Sequence, residues 1–261
     1  MKKIIPIHKS EKKSWDHVSH WYDALLSGDD TYQLRVILPN ILRVMNIKKG
    51  ERILDCACGQ GFFTRAFFKE GAIAIGVDSG QELIAIAKKE SPKEIKFLIS
   101  NAEKLSCFVN TTFDKVVIIL AAQNIQNLRS VFMECARVLV PGGKLYLVIN
   151  HPAFRVPQSS DWGYDEKKKV QYRRTEHYLT EFKVSIEMNP GRKIGVSSVV
   201  TSSFHRPLQY FFKALTNSGF LISNLEEWVS HKESQHGPHK IAEDCARKEI
   251  PLFMMMEGVK M

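Results

Sequence analysis

Cysteine is scarce, five in 261 residues, and none of the spacings between them matches a zinc-binding pattern. A chain of this length builds its own core, so neither a metal knuckle nor a disulfide-stapled scaffold is expected, and the thiols should be reduced and mostly buried. No apolar run reaches membrane-spanning length, and the basic start Met1–Lys9 leads into charge instead of a long apolar stretch. A cytoplasmic protein without membrane insertion is the expectation. No Gly-Lys-Ser/Thr follows a glycine-rich stretch, which removes a phosphate-cradling P-loop. Internal repeats and low-complexity linkers are absent too, which favours one decorated domain.

What is present is ordinary for a globular chain, with 44% hydrophobic and 25% charged residues. The net charge of +9 raises a polyanionic partner. The excess is spread, +6 over residues 1–150 and +3 over residues 151–261, with clusters at Lys2 to Lys13 and at Lys167-Lys168-Lys169 with Arg173-Arg174. Solvated surface is the simpler reading of both.

Trp15, Val18, Trp21, Tyr22 and Leu25 recur at helical spacing behind Ser14, an N-cap. A second helix is predicted from about Thr31 to Met45, kinked or split at Pro39. After Gly50 the pattern alternates. Strands are predicted at Arg52–Asp55, Ala72–Val77, Ile95–Ser100, Lys115–Leu120 and Lys144–Ile149. Helices are predicted between them at about Gly61–Glu70, Gln81–Glu90 and Leu128–Val140, the last leading through a Pro141-Gly142-Gly143 turn. Such an alternation predicts a parallel sheet wound by right-handed crossovers. Residues 151–204 break the rhythm as an insertion, with a hairpin of Phe182–Met188 and Ile194–Phe204 around Asn189-Pro190-Gly191. A helix from Pro207 to Gly219 and strands at Leu221–Trp228 and Pro251–Val259 close the chain.

In an open α/β sheet, ligands bind at the carboxyl edge beside the point where strand order reverses. The loop Cys56 to Gly61 falls there, with Gly59 and Gly61 allowing close backbone approach and a helix N-terminus behind them. Asp78 ends the next strand, where a carboxylate can accept both hydroxyls of a ribose. A dinucleotide fingerprint would need glycine at positions 57, 59 and 62, and the chain has Ala57, Gly59 and Phe62.

The run Asp55-x-Ala57-Cys58-Gly59-x-Gly61 resembles motif I of class I S-adenosylmethionine-dependent methyltransferases, especially the small-molecule, type 11-like group similar to quinone-biosynthesis methyltransferases. The resemblance extends over Trp21-Tyr22-Asp23, Asn101-Ala102-Glu103, Phe113-Asp114 and Leu139-Val140-Pro141-Gly142-Gly143-Lys144. It implies a doubly wound, seven-stranded, mostly parallel sheet of the Rossmann-like methyltransferase type, with N-terminal helices and an inserted cap after the fifth strand. On that frame the single domain divides into an N-terminal helical cap (1–50), a cofactor-binding core (51–150), an inserted substrate cap (151–204), and a C-terminal helix with the last two strands (205–261). S-adenosyl-L-methionine is the implied cofactor. Asp55 and the Ala57, Cys58, Gly59 and Gly61 backbone would hold its methionine part, Asp78 and Ser79 its ribose, and Asn101 and Ala102 its adenine. Leu120 and Ala121 would line the methionine side, and Tyr22 would close over it.

The Asn/Asp-Pro-Pro-Tyr/Phe of enzymes that methylate adenine or glutamine nitrogen is absent, since Ala121-Ala122-Gln123-Asn124 stands there. A small-molecule methyl acceptor is therefore expected ahead of a nucleic acid, with an RNA methyltransferase and a non-catalytic cofactor-binding partner as the alternatives, and a monomer or homodimer as the assembly. Methyl transfer is an in-line displacement, and a hydroxyl nucleophile wants a base near neutrality. His151, after the fifth strand, and His205, before the last large helix, are the candidates and should border the cleft. Trp162, Tyr164, Tyr172 and Tyr178 of the insertion are candidates for a lid over the acceptor.

Overall fold

The computed structural model describes residues 28–187 and 200–261. The helix expected at residues 14–27, with Tyr22, lies outside them, as does the Asn189-Pro190-Gly191 turn. The chain enters through a π-helical turn, Gln33–Ile37, that runs straight into α1 (Leu38–Met45). Pro39 accounts for the change of winding, because it has no N–H to donate and its ring crowds the turn before it.

The alternation then follows as β1 (Arg52–Cys56), α2 (Phe62–Lys69), β2 (Ile73–Asp78), α3 (Gln81–Glu90), β3 (Lys96–Ile99) and β4 (Phe113–Ile119). A 3-10 turn at Ala122–Asn124 leads to α4 (Leu128–Val138) and β5 (Leu139–Asn150). The predicted Pro141-Gly142-Gly143 turn lies inside β5. Leu139 pairs with Phe113 and Lys144 with Lys115, so residues 140–143 bulge opposite Asp114, with Gly142 at φ 74°.

The insertion holds two antiparallel hairpins: β6 (Ser160–Asp165) with β7 (Val170–Thr175), and β8 (Phe182–Glu187) with β9 (Val200–His205). Only the second was visible in the sequence. The lysine cluster turns out to be the tip of the first: Asp165 Oδ1 accepts from the N–H groups of Lys167 and Lys168, and Lys169 takes φ 53°. α5 (Leu208–Thr216), β10 (Phe220–Trp228), α6 (Lys240–Glu249) and β11 (Phe253–Lys260) complete the chain. α6 escapes sequence reading because it carries no apolar stripe; Ala246 is its one buried residue.

The seven-stranded sheet has the order β3-β2-β1-β4-β5-β11-β10, parallel except for β11, which runs antiparallel to both neighbours. Strand order reverses between β1 and β4. Both faces are covered, and strand residues alternate between them as a period of two requires. Leu54, Val116, Ile118, Leu145 and Leu147 face α4 and α5, while Ile53, Val117, Tyr146 and Val148 face α1 and α2. Among the described residues no helix is long and apolar enough to cross a membrane.

Candidate functional site

The carboxyl ends of β1, β2 and β4 open on a cleft of about 980 Å³, counting its open mouth. Its wall includes Asp55, Ala57, Cys58, Gly59, Asp78, Ser79, Asn101, Ala102, Leu120 and Ala121, all singled out in the sequence. Gln60, Phe62, Phe63, Leu83, Ser100, Ile119, Asn124 and Ile125, which were not, complete it.

Asp78 ties the floor together. Its Oδ2 accepts from the N–H of Gly59 at 2.9 Å and its Oδ1 from the N–H of Gly80 at 2.8 Å. Two backbone N–H groups thus fix the orientation of this carboxylate in the cleft wall. Backbone strain gathers at the same place, with non-glycine residues at positive φ at the ends of β1 (Ala57, 63°) and β4 (Leu120, 53°). Such conformations cost about 1–3 kcal/mol each and persist where the surroundings impose them. At Gly59 an added Cβ would meet nothing within 4 Å, so a side chain there would occupy the cleft itself.

Gly61 is not part of the wall. It takes φ 82° at the start of α2, and a Cβ there would stand 2.7 Å from the Phe97 ring, which also presses on Gly76. Its glycine serves the packing of α2 and β2 against β3, in place of ligand approach. Asn101 Oδ1 accepts from the N–H of Glu103 at 2.9 Å, leaving its second acceptor position for a ligand amine.

Asp55 is buried at 1% exposure and receives the Thr64 hydroxyl at 2.6 Å. Burial raises its pKa to about 7; the Thr64 hydrogen bond opposes this and the Asp78 charge adds to it. A folded pKa above the unfolded one means stability that is full below pH 3.8 and lost as pH rises through about 7. Asp55→Asn, which can still accept from Thr64, is therefore expected to stabilise the ligand-free protein by roughly 2–4 kcal/mol at pH 8 and little at pH 4. Thermal unfolding at both pH values checks this; equal shifts would reject the buried charge. Desolvation, with Asp55 and Asp78 close by, pushes the Cys58 thiol up, away from the thiolate.

The expectation that His151 and His205 border this cleft does not hold, for neither stands in its wall. His151 is 4% exposed; its Nδ1 accepts from the N–H of Ala153 at 3.2 Å, so its Nε2 donates to Glu227 at 2.6 Å. Both nitrogens are occupied. His205 donates through Nε2 to the carbonyl of Tyr178 at 2.8 Å and packs at a tilt against Phe182. Burial lowers the pKa of each, outweighing Glu227 beside His151 and the Tyr178 carbonyl beside His205.

A second cavity of about 1240 Å³, mouth included, adjoins the first and shares Leu120 and Asn124 with it. Tyr32, Gln123, Asn150, Arg155, Arg173 and Ser203 are among its lining residues. The insertion's aromatics line neither cavity; Tyr164 meets His239 edge-on, and Tyr178 accepts the N–H of Leu208 at the start of α5. Arg206 was missed in the sequence. Buried between Phe204 and Tyr210, it donates to the carbonyls of Ile125 at 2.9 Å and Gln126 at 2.7 Å, pinning the loop after β4. Only the tertiary fold brings it to those two carbonyls, 81 and 80 positions away in the chain. Among the described residues no cluster of three metal-ligating side chains occurs.

Residues 54–147 match a family described as a methyltransferase domain. A ubiquinone biosynthesis O-methyltransferase of Aliivibrio fischeri is 28% identical over 139 residues, 52% of this chain and 59% of that protein. The chain thus spans about three fifths of the length of the curated relatives it matches. An S-adenosylmethionine-dependent methyltransferase from Mesorhizobium loti superposes with a TM-score of 0.66 at 23% identity, over 89% of this chain and 99% of that one. The cyclase SpnF superposes with a TM-score of 0.62 at 16% identity, over 99% of each chain. Motif, strand order and matched segment agree: residues 54–147 resemble a methyltransferase domain, in a chain that has the fold of S-adenosylmethionine-dependent methyltransferases.

Proposed function

We propose that the chain transfers the methyl group of S-adenosylmethionine to an O, N or C atom of a small organic acceptor. The observation that carries this is Asp78, at the carboxyl end of β2 in the cleft wall, with both carboxylate oxygens fixed by backbone N–H groups. The cleft fits the donor: Asp78 for the ribose, Asn101 and Ala102 for the adenine, and the Ala57–Gly59 backbone with Leu120 and Ala121 for the methionine part. Bound there, the donor supplies a methyl carried on a sulfonium. The protein's part is alignment and exclusion of water. Leu120 and Asn124, common to both cavities, mark where acceptor and donor meet. The named activity of the Aliivibrio relative makes oxygen the first acceptor atom to test.

His151 and His205 serve as packing and positioning residues in this scheme. A general base is worth about 100-fold or more, so His151→Gln should keep near-wild-type turnover where a base would show that loss. Incubation with methyl-labelled donor and cell extract, followed by mass spectrometry, is expected to label a small metabolite. Label in RNA or protein instead, or no transfer despite donor binding, would sink the proposal. The second outcome would place the chain with a pocket-bearing partner or another chemistry, a reading the similarity to a cyclase keeps in view. RNA is disfavoured by the second basic cluster, where Arg173 turns to the Phe154 carbonyl, Arg174 pairs with Glu176, and the lysines form a hairpin tip.

A further inference from the structure

Arg155 and Arg173 both line the second cavity and are half-buried. Among the described residues neither has a carboxylate within ion-pair distance. Their hydrogen bonds go to neutral groups. Arg155 donates to Asn150 Oδ1 at 2.7 Å, and Arg173 donates to the Phe154 carbonyl at 2.8 Å and to Ser160 Oγ at 2.8 Å. Burial pushes both guanidinium pKa values down; Tyr32 opposes this at Arg155 and the Arg173 charge adds to it, while Asp161 acts on Arg173 from beyond ion-pair distance. Two like charges on one half-buried wall repel each other, and an incoming oxyanion relieves both the repulsion and the lost hydration.

Gln123 supplies an independent observation in the same wall. Its Nε2 donates to the Leu120 carbonyl at 2.7 Å, which fixes the amide, and its buried Oε1 has no partner among the described residues. A buried acceptor calls for a donor. Among the described residues the cavity wall holds no histidine and no carboxylate.

We propose that this cavity seats the methyl acceptor, and that the acceptor is an organic oxyanion, a carboxylate or a phosphate monoester, held by Arg155 and Arg173 with a hydroxyl or amine turned to Gln123. The proposal rests on the methyltransferase reading for the word acceptor. The anion site stands on the arginines alone.

The test is thermal unfolding of the full chain with S-adenosylhomocysteine, and separately with benzoate, phenyl phosphate or neutral benzamide. Near ten times its Kd an oxyanion is expected to raise Tm by about 3 °C, and benzamide is not. Benzoate or phenyl phosphate acting alone identifies the headgroup. Arg155→Gln with Arg173→Gln should abolish the shift, the two lysine replacements should keep most of it, and Lys167→Gln with Lys168→Gln on the hairpin tip should leave it unchanged. Arg155→Gln alone leaves the Arg173 hydrogen bonds intact and reads the same loss should the double variant fold poorly. The site is overturned if benzamide matches the oxyanions, if neither oxyanion shifts the wild type, or if the shift survives in the glutamine variants. Loss of the S-adenosylhomocysteine response with the oxyanion shift intact would strike the methyltransferase reading instead.

Discussion

Alanine at position 78 is expected to weaken binding of S-adenosylhomocysteine about 100-fold while the protein still folds. A hydrogen bond to a charged group contributes about 1.5–3 kcal/mol, and removing the carboxylate takes away the two proposed for the ribose. Water recovers part of that, which leaves about 3 kcal/mol, and the freed Gly59 and Gly80 N–H groups loosen the loops that Asp78 holds. Asp78→Asn should do little better, because its amide sets an N–H₂ against one of the two backbone donors. Calorimetric titration checks both variants. A change smaller than about threefold in the alanine variant would remove Asp78 from the site.

The second large effect is on stability. Gly61→Ala is expected to cost about 3 kcal/mol and to lower Tm by roughly 6–12 °C in thermal unfolding. Positive φ accounts for about 1–2 kcal/mol and the contact with Phe97, at 2.7 Å before relaxation, for the remainder. Gly61→Ala combined with Phe97→Leu should be less destabilised than the sum of the two single changes, since the steric part is shared. Additive losses would place the cost elsewhere. Gly59→Ala makes the contrast, because open space around its Cβ leaves only backbone strain against folding while the methyl group narrows the cleft.

These two glycines show where the sequence was legible. In the motif they look alike, two small residues beside a helix start. The structure separates them by what lies next to each: the cleft beside Gly59, and the ring of Phe97, 36 positions further on, beside Gly61. Asp78 could be read because its position follows from local rules alone, the end of an apolar strand one crossover after a glycine loop. His151 misled for a related reason. The strand end places its backbone at the correct edge, yet Glu227 on β10 and the amide of Ala153 decide where its ring points. The hairpin β6–β7 left a weak signal because its strand residues are half-buried or exposed throughout and form no buried apolar face.

By itself the sequence determined the alternation of strands and helices from β1 to β5, the sheet's carboxyl edge as the place for a ligand, and the loop and carboxylate proposed to hold a nucleoside there. Each follows from periodicity and nearest-neighbour geometry, which a chain carries in its local pattern. The tertiary structure decided which side chains meet: Phe97 against two glycines, Arg206 against the loop after β4, and Arg155 with Arg173 around one cavity. Those contacts join residues distant in the chain, and only the packed sheet with its insertion brings them within reach. The physical reason is that charge pairing and steric fit depend on distance in space, to which spacing along the chain is blind.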